Sequence, residues 1–361
     1  MTKLLLGLVG VGRIGKMHAR NLQDVSSTLV NQGVDLEIIL ADAVPEVARQ
    51  AGEELGLRHA ESVESLIDLG IDALFITTST ATHPELIRFG LKAGLPIFCE
   101  KPIASNVPES LEIIREIEDA NGVVQIGHQR RFDAGYQECK RRLDSGELGW
   151  IHSLKAISGD AFPPPASYCA TSGGLFRDVS VHDFDIIHWL TGQNIVEVVA
   201  RGSNNGEPEL KAVGDVDTSA ALITLADGTL ATVVATRHNG AGHDVRLDVL
   251  GSKDTAIVGL DEKSAFRSAE DSVSFPNGEP HPTFAERFAD AYKNECFAFI
   301  ELVLGKRENP CTPRDAVSAA LAADAAQLSL ATGQPVIVPS IQDILDGKVA
   351  PIEVRELVPQ V

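Results

Sequence analysis

The sequence predicts an α/β domain built on a doubly wound parallel sheet, residues 1–127, followed by an α+β domain with a large, mostly antiparallel open sheet, residues 128–361. The last helix of the second domain is free to pack back on the first. Three observations carry this reading. Through about residue 125, short apolar runs alternate with helix-like segments, the pattern of a parallel sheet covered on both faces. Beyond Tyr136 the texture changes, and from Val196 onward several strands follow one another with period-two alternation. At 361 residues the chain also exceeds the size at which one hydrophobic core keeps growing.

In order, the strands of the first domain are Leu4 to Val9, Leu36 to Ala41, Ala73 to Thr77, Pro96 to Cys99 and Val123 to Ile126. Helices fit between them at Arg13 to Val30, Pro45 to Leu55, Val63 to Leu69, Pro84 to Ala93 and Val107 to Ala120. The second domain begins with a helix over Gln137 to Ser145 and a strand over Ile151 to Ser158, then a proline-rich loop at Pro163 to Pro165. A helix from Gly174 to Leu190 precedes strands at Val196 to Gly202, Thr218 to Leu225, Leu230 to Thr236 and Val245 to Gly251. Helices over Phe284 to Leu304 and Arg314 to Thr332 close the fold.

The composition narrows the function. Lys and Arg number 31 against 51 Asp and Glu, a formal charge of -20, which repels phosphate backbones and anionic membrane surfaces. Nucleic acid and membrane are therefore not expected partners. No run approaches the ~20 apolar residues that span a bilayer. The N-terminal run Leu4 to Val9 is too short for a leader and flows straight into a glycine loop, so it reads as a buried strand. Five cysteines, odd in number and without a C-x-x-C pair, read as reduced thiols of a cytoplasmic protein without a structural zinc.

The loop Gly10-Val11-Gly12-Arg13-Ile14-Gly15 follows the first strand and opens the first helix. In a dinucleotide-binding unit the first glycine permits the tight turn, the second lets a pyrophosphate approach the backbone, and the third lets helix and sheet pack closely. The helix start then offers N–H groups and a positive dipole end to the phosphates. Asp42 ends the second strand, where a carboxylate accepts from both ribose hydroxyls and repels a 2′-phosphate, and Ala43 supplies no cation. NAD is thus favoured over NADP. The interval from Gly15 to Asp42 exceeds the usual ~20 residues, which requires a long first helix. Thr78 and His83, beyond the third of these strands, border the cofactor in this reading.

Phe98-Cys99-Glu100-Lys101-Pro102 places a charged pair and a proline where a buried strand leaves the sheet, at the carboxyl edge where open α/β sheets bind ligands. Pro102 restricts the backbone of Lys101, whose ammonium is suited to bonding a substrate hydroxyl and stabilising a developing alkoxide. The run Ala93 to Pro102 resembles the signature that ends the nucleotide domain of the glucose–fructose oxidoreductase, inositol dehydrogenase and rhizopine catabolism (Gfo/Idh/MocA) family. The resemblance extends over nearly the whole chain. Gly127-His128-Gln129-Arg130-Arg131-Phe132-Asp133 and the run Gly173 to Asp183 look most like the inositol 2-dehydrogenases.

Asp178 and His182 stand four apart on a predicted helix with apolar flanks, so they share one face. A carboxylate beside His182 orients the imidazole and favours its protonated form, which suits a base that removes a hydroxyl proton. By resemblance, Lys101, Asp178 and His182 match the family's catalytic residues. His182, Asp183, Asp185 and His188 crowd one segment, but their spacing scatters them around the helix, and no metal is expected.

Several substrate-side positions depart from the inositol-dehydrogenase pattern. Gly159 and Ala161 flank Asp160 where Arg and Pro are usual, His128 and Gln129 replace larger apolar residues, and His243 stands where an aromatic residue is common. Gln129, Asp160 and His243 join Lys101, Asp178 and His182 as expected substrate contacts, with Arg287 and Tyr292 as weaker candidates. The resemblance implies an NAD-dependent dehydrogenase of a secondary alcohol on a cyclic polyol, myo-inositol first, working as a homo-oligomer (tetramer or dimer). The alternatives are a related oxidoreductase of scyllo-inositol, an anhydrosugar or an aldose, and a non-catalytic NAD-binding regulator.

Overall fold

The computed structural model describes residues 2–273 and 278–352. The chain divides into two compact units, one of Met1–Phe132 with Asp290–Val317, the other of Asp133–Ala289 with Ser318–Val361. Among the described residues no helix is long and apolar enough to cross a membrane.

The first unit runs β1 (Thr2–Val9), α1 (Arg13–Val30), β2 (Val34–Ala41), α2 (Pro45–Leu55), β3 (Arg58–His59), α3 (Val63–Asp68), β4 (Ala73–Ile76), α4 (His83–Lys92), β5 (Ile97–Glu100), α5 (Val107–Asp119) and β6 (Val124–Gly127). Its sheet is wholly parallel, in the order β3-β2-β1-β4-β5-β6. The chain winds outward from β1 in one direction and from β4 in the other, so the topological switch lies between β1 and β4. The 18-residue α1 accounts for the long interval between the glycine loop and Asp42. Its buried stripe is Gly15, His18, Ala19, Leu22, Val25 and Leu29, the spacing of a helix laid on a sheet. β3 has no counterpart in the sequence reading, because its two residues are both exposed and carry no apolar pattern.

The second unit continues with α6 (Ala134–Asp144), β7 (Ile151–Gly159), α7 (Ala166–Ser172), α8 (Val181–Thr191), β8 (Ile195–Ser203), α9 (Pro208–Ala212), β9 (Thr218–Leu225), β10 (Leu230–Thr236), β11 (Asp244–Gly251), β12 (Thr255–Val258) and α10 (Phe284–Arg287). The chain then forms α11 (Ala289–Val303), α12 (Pro313–Thr332), β13 (Val336–Ile337) and α13 (Ile341–Leu345). The second sheet has the order β12-β11-β7-β10-β9-β8-β13 and is antiparallel except where β10 pairs with β7. Ala221, Ile223, Ala231, Val233, Leu154 and Val249 line its buried face.

Two predicted helices are modified. The helix expected over Gly174 to Leu190 contains a π turn, Phe176–Ser180, before α8. The helix expected over Phe284 to Leu304 breaks at Phe288, so that α10 and α11 are separate. α11 supplies Cys296, Phe299 and Ile300 to the core of the first unit. There Phe75 and Phe98 stack at 3.9 Å between centroids, and Phe299 meets both edge-on. Such aromatic pairs add about 0.5–1.5 kcal/mol beyond the area they bury.

Candidate active site

The glycine loop is fitted to a dinucleotide by what surrounds each glycine. Gly10 has a positive φ of 92°, and a Cβ there would fall 2.7 Å from the Thr78 side chain. A Cβ on Gly15 would lie 1.8 Å from the Gly10 carbonyl oxygen. Gly12 is the opposite case, since a Cβ there meets nothing within 4 Å. It is the N-cap of α1, and no side chain caps that turn. Open space over Gly12 and an uncapped helix start are what a pyrophosphate requires. Thr77 fastens the loop from β4, its hydroxyl donating to the Val9 and Gly10 carbonyls at 3.1 and 2.7 Å. Asp42 fastens it from β2, accepting from Val11 N–H at 3.0 Å through Oδ2 and from Val44 N–H at 3.1 Å through Oδ1. The carboxylate is thereby held at the loop. Arg13 and Ile14 form the first turn of α1 directly behind Gly12.

At the carboxyl end of β5 the Glu100–Lys101 pair is built on a buried brace. Glu100 Oε1 lies 2.7 Å from His18 Nε2, and Oε2 accepts from the Lys101 N–H at 3.2 Å. Burial pushes the Glu100 carboxyl up, but the His18 hydrogen bond and the charges of His18 and Lys101 outweigh it and hold it below the usual range. His18 Nδ1 is 3.4 Å from Cys296 Sγ. Burial raises that thiol well above its ordinary pKa, so it stays protonated. The phenol of Tyr292 is likewise pushed up by burial, and its ring meets His18 edge-on at 5.6 Å. His18, Glu100 and Glu295 bring ligand-type atoms within 4.8 Å of one another.

His83 is buried, with Nδ1 2.7 Å from the Pro102 carbonyl and Nε2 3.2 Å from that of Thr78. Both partners are acceptors and would favour an imidazolium, but burial outweighs them and lowers the His83 pKa. The ring therefore ties the end of β4 to the turn that carries Lys101. Gln129 sits in a 3-10 turn (Gln129–Phe132) that leaves β6 at the same sheet edge, and its side chain is buried.

In the second unit, the π turn carries Asp178 and leads into α8, where His182 lies in the first turn. A π turn holds more residues than an α turn, which brings residues four apart closer to alignment, and such turns recur at functional sites. Asp178 accepts from the Tyr168 hydroxyl at 2.9 Å and from Arg237 Nη1 at 2.6 Å, one bond to each oxygen. Asp160 Oδ2 is 3.9 Å from Arg237 Nη1, and Asp160 Oδ1 is 3.5 Å from His243 Nδ1. The structure thus gathers Asp160, Asp178 and His243 around Arg237. Arg237, Tyr168 and Asp215 were not singled out in the sequence. Asp183 accepts from the Ser158 hydroxyl at 2.9 Å and His188 Nδ1 meets the Gln193 carbonyl at 2.9 Å, both bonds serving the packing of α8. Arg287 pairs with Asp133, the N-cap of α6, at 2.8 Å.

Residues 4–128 match the oxidoreductase family with an NAD-binding Rossmann fold, and residues 136–257 match the GFO/IDH/MocA C-terminal domain. A myo-inositol 2-dehydrogenase of Thermotoga maritima is 32% identical over 336 residues, covering 90% of this chain and 96% of that protein. The NAD(+)-dependent scyllo-inositol 2-dehydrogenase of Bacillus subtilis is 34% identical, covering 91% and 94% respectively. Among solved structures, the scyllo-inositol dehydrogenase of Lactobacillus casei, with bound NAD(H) and scyllo-inositol, matches with a TM-score of 0.80. That pair is 31% identical over 93% of this chain and 99% of the other.

Proposed function

Because the chain belongs to the GFO/IDH/MocA oxidoreductase family, we propose that it is an NAD-dependent dehydrogenase of a cyclic polyol, oxidising a secondary alcohol of myo-inositol or a close relative. The observation that carries this reading is the placement of Lys101 at the carboxyl edge of β5, two strands from the glycine loop that follows β1. The nicotinamide, when bound, supplies the hydride acceptor. Gly10, Gly12, Gly15 and the start of α1 hold its pyrophosphate, and Asp42 takes the ribose hydroxyls and selects NAD over NADP.

In this reading Lys101 donates to the substrate oxygen and stabilises the charge that develops there as its proton leaves. His182 accepts that proton, and Asp178 fixes the orientation of the imidazole. Asp160, His243 and Gln129 accept from or donate to the other ring hydroxyls. Two relatives act on myo-inositol and on scyllo-inositol respectively by name, which supports the inositol class and leaves the isomer to experiment.

We further propose that the protein works in the cytoplasm as a homo-oligomer. Its five cysteines are all buried free thiols. The outer face of the second sheet carries Leu222, Leu230, Val234 and Ile257, each at least 40% exposed, and a second copy would cover them. Light scattering coupled to gel filtration measures that assembly. The activity test is a panel of inositol isomers, anhydrosugars and aldoses with both cofactors. Reduction of NAD by an inositol is expected, and a response confined to non-inositol sugars would refute the reading.

A further inference from the structure

Arg237, just beyond β10, is a charged side chain that is only 1% exposed and makes no appearance in the mechanism above. Its guanidinium joins two carboxylates that bracket the π turn. Nη1 donates to Asp178 Oδ2 at 2.6 Å, and Nη2 donates to Asp215 Oδ2 at 3.5 Å. Asp215 in turn accepts, through Oδ1, the N–H groups of Leu175 at 3.0 Å and Val216 at 2.9 Å. One guanidinium therefore holds the turn at its entry, through Asp215 and Leu175, and at its middle, through Asp178. Its backbone N–H is pinned as well, donating to the Asp217 carbonyl at 2.7 Å. Arginine's planar fork suits such two-point anchoring, whereas a lysine offers one point charge.

The charge balance gives the anchor a second consequence. The titratable groups that face Arg237 are Asp178 from the π turn, Asp215 from the loop before β9, Asp160 from the end of β7, and Tyr168 and Cys169 from α7, with His243 beyond Asp160. Burial works against the guanidinium's charge, and the carboxylates of Asp178 and Asp215 outweigh it and keep the cation firmly charged. Tyr168 is pushed up by burial and by Asp178, so it remains a phenol that donates. Asp178 thus meets a full positive charge on one oxygen and a neutral donor on the other.

We propose that Arg237 is a positioning residue for Asp178 and its counter-ion, so that Asp178 orients His182 and does little to charge it. This rests on the roles of Asp178 and His182 proposed above. It revises the simple sequence picture, in which the carboxylate beside the histidine favours the imidazolium. With the guanidinium present, His182 keeps more of its capacity to accept a proton near neutral pH. Without it, an uncompensated carboxylate one helical turn away favours the imidazolium and removes the base from the lower part of the working pH range.

The test compares the full-length wild type with Arg237→Gln and Arg237→Lys. Two readouts are used: the pH profile of kcat/KM for myo-inositol with saturating NAD, and the NMR titration of the His182 imidazole, assigned with His182→Gln. For R237Q the expected results are a loss of about 100-fold in kcat and an upward move of about one pH unit in both the acid limb and the His182 titration. R237K should bring both titrations back toward wild type while kcat stays about 10-fold low, because the charge is restored and the fork is not. Should R237Q fail to fold, R237K decides: wild-type kcat in that variant overturns the positioning role. A folded R237Q whose acid limb and His182 titration match the wild type overturns the counter-ion role. If the wild type oxidises no polyol, the proposed function fails by itself, and the NMR titration still decides the role of Arg237.

Discussion

His18 Nε2 lies 2.7 Å from Glu100 Oε1, so the helix that opens the nucleotide loop also braces the turn that carries Lys101. His18→Leu leaves the Glu100 carboxylate without that donor. A kcat loss of about 10-fold or more is expected, together with a stability loss of about 1–3 kcal/mol, the cost of an unsatisfied buried partner. Steady-state kinetics and urea unfolding measure the two effects. An unchanged kcat in a folded variant would show that the brace does not reach Lys101.

Two alanine substitutions in the glycine loop should separate fold from cofactor. At Gly12, with its ordinary φ of -66° and open surroundings, an alanine fits the apo protein. G12A is expected to keep its Tm and to lose NAD affinity by about tenfold or more, because the methyl occupies the space of the pyrophosphate. At Gly15 the methyl collides with the Gly10 carbonyl. G15A should lose stability even without cofactor, by about 1–3 kcal/mol or more. Calorimetric titration with NAD and thermal melts of both variants check the pair.

Asp42 accepts from the Val11 N–H of the glycine loop, and the proposed function gives it the choice of cofactor. Asp42→Ala should weaken NAD and narrow the NAD over NADP preference by about tenfold, the scale of one charge-assisted hydrogen bond. The ratio of kcat/KM for the two cofactors reports it. A preference unchanged in the variant would move the selectivity elsewhere.

His83 predicts a pH dependence of stability. Its folded pKa lies below the ordinary 6.5 because burial disfavours the imidazolium. Between the folded value and 6.5 the native state binds fewer protons than the unfolded state, so stability rises with pH. That contribution is present above about 6.5 and is lost as pH falls through the folded value. His281, lowered by burial and by Arg287, contributes in the same direction and is common to wild type and variant. His83→Gln should therefore flatten the decline in unfolding free energy between pH 7 and 5. A variant with the full wild-type slope would contradict the assignment.

The sequence was most legible where a periodic pattern met a clear stop. α1 occupies the predicted Arg13 to Val30 because a glycine loop precedes it and one apolar stripe runs its length. β9 and β10 likewise fall on their predicted spans, since their alternation matches a sheet buried on one face. The π turn was hidden, because a widened turn leaves no mark on an apolar segment that reads as helix throughout. His18 was detectable in principle, as the one titratable residue on the buried stripe of α1. Arg237 was not, because its carboxylate partners lie 59 and 22 residues away in sequence and only the fold brings them together.

In the proposed function Lys101, at the carboxyl edge of β5, stabilises the developing alkoxide of a polyol substrate. The most direct measurement is kcat/KM of Lys101→Met for myo-inositol with NAD beside the wild type. A loss of about 100- to 1,000-fold is predicted, the scale of a removed charge-stabilising donor. Oxidation by the variant at an undiminished rate would show that Lys101 does not stabilise the alkoxide.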